Sequence, residues 1–268
     1  MKSGITDLLI DLDGVLIGKG EKLFPVLGKA LRALRETGVK VRVVTSRPFI
    51  FALPAIEFYG LDLSLCHVFD AGSLIRNQEE VYKSLIIPSD VLSDISLILE
   101  GVFKNTPIQG STSDAVFANS LCSKRLKDIL GSERIRELRE LPVGALTIGL
   151  RGLSREGADE LETLIKARCR FERNERDNSS FTIFIRHKES SKLNALRALE
   201  KGDFLTLKES MFVTDDDHDA DVFECVQLSG VPSNAETKAH ETATMRSNLS
   251  EGEGCFELIR RVWPTLQL

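Results

Sequence analysis

The chain has 268 residues, 42% of them hydrophobic and 28% charged, with a net charge of -5. That balance is ordinary for a soluble globular protein, gives no basic footprint for nucleic acid, and contains no apolar run long enough to cross a bilayer. The length exceeds a usual single core, so one large domain or a domain with a substantial insertion is expected.

The first strand is read at 8–10, where the apolar run LLI stops at Asp11, and Asp13 and Gly14 follow at once. A short apolar run bounded by turn residues reads as a buried parallel strand, and the C-terminal edge of such a sheet is where ligands bind. The first strand begins too early to leave room for a signal peptide. Five cysteines are widely scattered without a C-x-x-C pair, which suits a reducing compartment, so the cytoplasm is the expected address.

A polar loop at 18–21 leads to a helix over 25–37, with Leu27, Leu31 and Leu34 at helical spacing before Gly38. Residues 39–44, VKVRVV, form the second strand, which ends in Thr45, Ser46 and Arg47 before Pro48. A helix over 50–59 closes at Gly60, and a third strand at 66–69 precedes Asp70, Ala71 and Gly72. The pattern to this point is β-α-β-α-β.

From about 86 to 186 the alternation lapses. Residues 89–99, 133–141 and 155–167 read as helices, while 145–150 and 181–185 read as strands. With a hairpin around 177–180, these pieces suggest a small α+β sheet. The arginines of 168–176 alternate with Glu172 and Glu175, the pattern of a solvated edge strand. Arg186, His187 and Lys188 leave this segment just before Lys192, as a hinge in the first place and as contacts to an anionic substrate in the second. The first pattern then resumes, with a helix at 191–201, a strand at 211–214 and helices at 220–228 and 255–263. Residues 231–253 carry no assignable pattern.

Two acidic stretches stand at strand ends. Asp11 and Asp13 are spaced i, i+2, and like charges held that close call for a cation or a shared proton. Asp215, Asp216, Asp217, Asp219 and Asp221 crowd the end of the strand at 211–214. Capping and the helix dipole account for one or two of these aspartates, not five. If the two strands are neighbours about 4.8 Å apart, one divalent ion can bridge their ends.

Four dispersed motifs thus appear in order: DLDGV at 11–15, VVTSR at 43–47, SSK at 190–192 and DDDHDADVF at 215–223. On these the chain resembles the haloacid dehalogenase superfamily of phosphotransferases. The large insertion resembles the capped branch that includes the Cof-like sugar phosphatases, the sucrose-phosphate and trehalose-phosphate phosphatases and the phosphomannomutases. The resemblance implies an α/β fold, with a Rossmann-like, doubly wound parallel sheet core and an inserted α+β cap. The core is expected at 1–85 and 188–268, and the cap at 86–187.

It further implies a Mg²⁺-dependent phosphatase acting on a small phosphorylated metabolite, a sugar phosphate above all, through an aspartyl-phosphate. Asp11 would be the nucleophile and Asp13 the general acid and base. Thr45 and Lys192 would bind the phosphoryl group. Asp11, the backbone carbonyl of Asp13, Asp215, and Asp219 directly or through water would hold the metal. Arg47 is read equally as a substrate contact and as the partner of a carboxylate.

Read in isolation, Thr45 is a helix cap and Lys192 a surface lysine; the joint order of the motifs is what assigns them. Asp217 and Asp221 repeat the spacing of Asp215 and Asp219, but Asp215 abuts the strand and leaves Val222 and Val226 to face the sheet. Family members usually carry Gly at the position of Thr214 and Asn or Thr at that of His218, so Thr214 would crowd the metal site and His218 alter its charge. A phosphomutase using the same residues and a catalytically degenerate binding protein on this fold are the alternatives. His67, His187 and His240 have no metal-ligand spacing.

Overall fold

The computed structural model describes residues 4–101, 105–130, 135–141, 143–177 and 180–266. The chain divides into two compact units. One comprises Met1–Arg47, Ala52–Tyr82 and Ser191–Leu268, the other Pro48–Phe51 and Lys83–Ser190. The second unit thus begins at 83 and ends at 190, where the sequence reading put the insertion at 86–187, and it takes in one short segment from earlier in the chain.

The first unit is built on a five-stranded sheet in the order Met245–Arg246, Leu228–Val231, Ser210–Val213, Asp7–Ile10, Lys40–Val43. All four pairings are parallel. A parallel strand is covered on both faces, which is why DLLI is buried throughout. Asp7 tolerates this burial because Arg42 Nε donates to its Oδ1 at 2.9 Å on the adjacent strand. Strand order reverses at Asp7–Ile10, with Lys40–Val43 to one side and Ser210–Val213 to the other. Such a switch point opens a crevice at the C-terminal edge.

The helix Pro25–Glu36 forms as its leucine spacing predicts and buries Leu27, Leu31 and Leu34. Lys192–Lys201 buries Ala195, Leu196 and Leu199, which join Leu9, Phe212 and Val222 in one core cluster. The predicted helix 220–228 is shorter than expected and spans only Ala220–Phe223. Its apolar tail turns aside because the chain must re-enter the sheet at Leu228 beside Ser210–Val213.

His67–Phe69 pairs antiparallel with Leu74–Arg76 in a three-stranded sheet completed by Val81–Ser84. Neither of the latter two strands was legible, being only three and four residues long. The unassigned stretch holds the strand Met245–Arg246 and the start of the last helix, Glu251–Val262.

The second unit is a six-stranded sheet in the order Ile135–Glu137, Val116–Ala118, Ile108–Ser111, Thr147–Leu153, Ser180–His187, Cys169–Asp177. Helices Ser89–Gly101 and Arg155–Ile165 supply Val91, Ile95, Leu161 and Ile165 to its core. Cys169–Asp177 is an edge strand, as its charge alternation predicts. The expected helix 133–141 is a correction: residues 133–134 lie outside the described residues, Ile135–Glu137 is a strand and Leu138–Glu140 a single 3-10 turn. Ile135, Leu138 and Leu141 have helical spacing, but pairing with Val116–Ala118 overrides that local preference. The turn residues 178–179 of the predicted hairpin also lie outside the described residues. Among the described residues no helix is long and apolar enough to cross a membrane.

Candidate active site

The C-terminal edge of the parallel sheet gathers side chains from four strand ends and one helix start. Asp11 follows Ile10 directly, and its N–H still donates to Val213 O at 2.9 Å. The carboxylate therefore stands at the last rung of the ladder. Its Oδ1 accepts the Leu12 N–H at 2.7 Å, and its Oδ2 accepts from Lys192 Nζ at 2.7 Å. Lys192 is the first residue of its helix and is only 5% exposed. Its Nζ also donates to Asp219 Oδ2 at 2.7 Å. One ammonium thus joins two buried carboxylates that are 208 positions apart in sequence (219 minus 11).

Thr214 is fully buried beside them. Its hydroxyl donates to Asp219 Oδ2 at 2.7 Å and lies 3.4 Å from Asp11 Oδ2. Thr214, expected to crowd the metal site, here supplies a hydrogen bond to Asp219. With Lys192 and Thr214 both on Oδ2, Asp219 is anchored toward the lysine.

Each aspartate of the second cluster has a separate place. Asp215 lies against the backbone of Gly14, where an added Cβ would sit 1.7 Å from Asp215 Oδ2. Gly14 also has φ +68, so both the turn and the close approach require glycine. Asp216 Oδ1 accepts from the backbone N–H of His218 and lies 2.8 Å from its Nδ1. Asp217 Oδ1 accepts the Ala239 N–H at 2.6 Å, and Asp221 is exposed on the short helix. Of the two pairs with equal spacing, Asp215 and Asp219 are the ones turned toward Asp11, Gly14 and Lys192.

Asp13 behaves differently from Asp11. Its carboxylate is 58% exposed and receives both arms of the Arg47 fork, Nε at 2.8 Å and Nη2 at 2.6 Å. Arg47 also pairs with Glu21 at 3.0 Å. Of the two roles open to Arg47, the structure shows the carboxylate partner. Thr45 is fully buried and its Oγ1 accepts the Arg47 N–H at 3.1 Å. It therefore caps the turn while keeping its own O–H to donate. The register sets it two residues past Val43, on the strand that flanks Asp7–Ile10.

Asn234 was not singled out by sequence. Its Nδ2 donates to Gly14 O at 3.1 Å and Asp215 Oδ2 at 3.0 Å, pinning the two strand ends together. The signal available was its place just after Leu228–Val231, a parallel strand that ends at the same edge.

The charges at this edge are out of balance. Burial pushes the Asp11 carboxyl up to about 7; Lys192 opposes this, and Asp219 and Asp13 add to it. Burial likewise pushes Asp215 up to about 8, with Asp11 and Asp216 contributing. Burial raises Asp219 too, with Asp216 adding to the rise and Lys192 and Thr214 working against it. A lysine alone does not neutralise two buried carboxyls and a third, Asp215, that is half-buried. Asp11 and Asp215 present oxygen donors from adjacent strand ends, the chemistry a small hard dication accepts, so the residues fit a divalent cation.

Residues 8–259 match the family described as haloacid dehalogenase-like hydrolase. A phosphoglycolate phosphatase of Methanothermobacter thermautotrophicus is 23% identical over 260 residues, covering 95% of this chain and 97% of that protein. A haloacid dehalogenase-like hydrolase from Bacteroides thetaiotaomicron has the same fold, with TM-score 0.84 at 17% identity, covering 96% of this chain and 99% of that one. A subclass IIB sugar phosphatase superposes with TM-score 0.74 at 16% identity, over 96% of this chain and 98% of its own.

Proposed function

The chain belongs to the haloacid dehalogenase-like hydrolases, and from that premise we propose that it is a Mg²⁺-dependent phosphatase cleaving a small phosphorylated metabolite, a sugar phosphate, through an aspartyl-phosphate. The observation that carries this reading is the buried Lys192 Nζ held 2.7 Å from both Asp11 and Asp219. An ammonium so placed meets the phosphoryl charge at the atom that attacks it. The sugar phosphatase neighbour and the phosphoglycolate phosphatase relative both act, by their names, on small phosphorylated or sugar compounds. Both lend weight to a substrate of that size.

Asp11 Oδ2 is the attacking atom. As its bond to phosphorus forms, the bond from phosphorus to the leaving oxygen breaks, and Asp13 gives that oxygen a proton. In the second half Asp13 takes a proton from water, whose oxygen displaces Asp11 and frees orthophosphate. Lys192 offsets the charge shared by Asp11 and the phosphoryl group, and the Thr45 O–H donates to a phosphoryl oxygen. Arg47 grips both oxygens of Asp13, which suits the carboxylate that takes a proton from water, and one of the two contacts opens when Asp13 carries the proton for the leaving oxygen.

Asp11, Asp215 and the Asp13 backbone carbonyl would hold Mg²⁺, which supplies the positive charge that lets a carboxylate approach a phosphate dianion. Asp219 serves here mainly as the anchor of Lys192. The test is phosphate release from p-nitrophenyl phosphate and a panel of sugar phosphates in Mg²⁺. Asp11→Asn is expected to abolish release with the circular dichroism spectrum unchanged, and turnover retained by this variant would refute the assignment. Turnover of phosphoglycolate but of no sugar phosphate would overturn the substrate class alone.

A further inference from the structure

The turn after His67–Phe69 holds three consecutive residues in the left-handed region: Asp70 at φ +51, Ala71 at +52 and Gly72 at +92. Two of the three are not glycine. Such strain persists only where the surroundings over-determine it. All three are buried.

Two sets of contacts enforce this conformation. On one side the Ala71 N–H donates to Thr45 O at 3.1 Å and the Asp70 N–H donates to Arg47 O at 3.0 Å. The turn is thereby stitched to the loop bearing the phosphoryl-binding threonine and the arginine that grips Asp13. On the other side Gly72 lies flat against the start of the lysine helix. A Cβ there would stand 2.0 Å from Ser191 O, 2.4 Å from its carbon and 3.0 Å from Lys192 N. Backbone, unlike the end of a flexible side chain, cannot step aside cheaply.

Ser191 in turn caps the helix. Its side chain accepts the Asn194 N–H at 3.0 Å, and its carbonyl accepts that of Ala195 at 3.1 Å. The backbone from which the Lys192 side chain starts is therefore set by whatever presses on Ser191, and that is Gly72.

We propose that the Asp70–Gly72 turn is the positioning element of the site, holding the start of helix Lys192–Lys201 in fixed relation to Thr45 so that Lys192 Nζ reaches Asp11. This rests on the phosphatase reading for its kinetic consequences but not for its structural one. None of the three residues touches the reacting atoms in this account; they act through Lys192 and Thr45.

The experiment uses the full-length chain. Gly72→Ala is expected to lower kcat for p-nitrophenyl phosphate about 30-fold with KM within about three-fold, since a displacement near 1 Å at a reacting group costs up to about 100-fold. Placed in a Lys192→Ala background, the same substitution is expected to cost no more than about two-fold further, because the two changes act through one group. An equal loss in both backgrounds, or wild-type kcat in a folded Gly72→Ala protein, overturns the proposal.

Should Gly72→Ala not fold, Ala71→Gly keeps the left-handed backbone accessible while loosening it. It is expected to lower kcat about three-fold at unchanged KM, and wild-type kcat would overturn the proposal. A readout independent of turnover accompanies these: acetic anhydride labelling of lysines read by mass spectrometry. Lys192 is expected to be protected in the wild type and labelled about ten-fold faster in the turn variant, with the surface lysines unchanged. Unchanged labelling of Lys192 overturns the positioning role even if no phosphate is released. Loss of wild-type turnover with the labelling change intact would instead fault the phosphatase reading.

Discussion

His67 completes a strand end with its ring. Its Nδ1 accepts the Val43 N–H at 2.9 Å, so Nε2 carries the proton and donates to Asp62 O at 3.0 Å. Burial lowers its pKa to about 4, with Arg42 adding to the fall. The unfolded chain takes up the proton near the ordinary value of 6.5 and the folded one only near 4, so protons favour the unfolded chain in between. The stability from this group is complete above about pH 6.5 and declines as pH falls toward about 4, by about 3 kcal/mol in all. His67→Gln, which keeps an acceptor and a donor, is expected to remove that slope. Urea denaturation at pH 7, 5.5 and 4.5 measures it, and parallel curves for both proteins would contradict the account.

The strand Ser180–His187 and its edge partner Cys169–Asp177 are joined by more than backbone. Arg186, 1% exposed, donates from Nη1 to Glu172 Oε2 at 2.7 Å and from Nε to Thr147 Oγ1 at 3.2 Å, with its guanidinium over the Phe184 ring. The hinge cation of the sequence reading is thus the buried tie of three strands. Glu172→Ala leaves that cation unpaired and is expected to destabilise the protein by about 3 kcal/mol or more, while Glu172→Gln costs less. Equilibrium denaturation decides this; a loss below about 1 kcal/mol for Glu172→Ala would show that water reaches Arg186.

The acidic excess at the sheet edge has a consequence for the protein as an assembly of strands. Asp11 and Asp215 repel each other until a dication binds, which makes the site a source of instability that function requires. EDTA is expected to abolish phosphate release, and Mg²⁺ to restore it and to raise the melting temperature; saturation at about 100 times Kd adds about 2.7 kcal/mol. Asp215→Asn should melt above the wild type in EDTA yet gain nothing from Mg²⁺. A variant that melts lower than the wild type in EDTA would mean that Asp215 is held by contacts rather than strained by charge.

Much of this protein was legible from the order of its residues. The buried strand at 8–10, the leucine-spaced helices, the edge strand at 169–177 and the clustering of aspartates at strand ends all follow from local periodicity and charge. The nomination of Asp11, Thr45, Lys192, Asp215 and Asp219 came instead from the resemblance, because motif order survives in one dimension. The helix expected at 133–141 failed because three apolar residues at helical spacing suit a strand and turn once a neighbouring strand offers hydrogen bonds. Asn234 and the Asp70–Gly72 turn were invisible because their significance is contact with residues 220 and 119 positions away (234 against 14, and 191 against 72). The choice of Arg47 for Asp13, of Asp219 for Lys192, and of Thr214 as a donor to Asp219 was made by strand register. A chain can state which groups it carries, but which two share a proton or a charge depends on distances that arise only when the sheet closes.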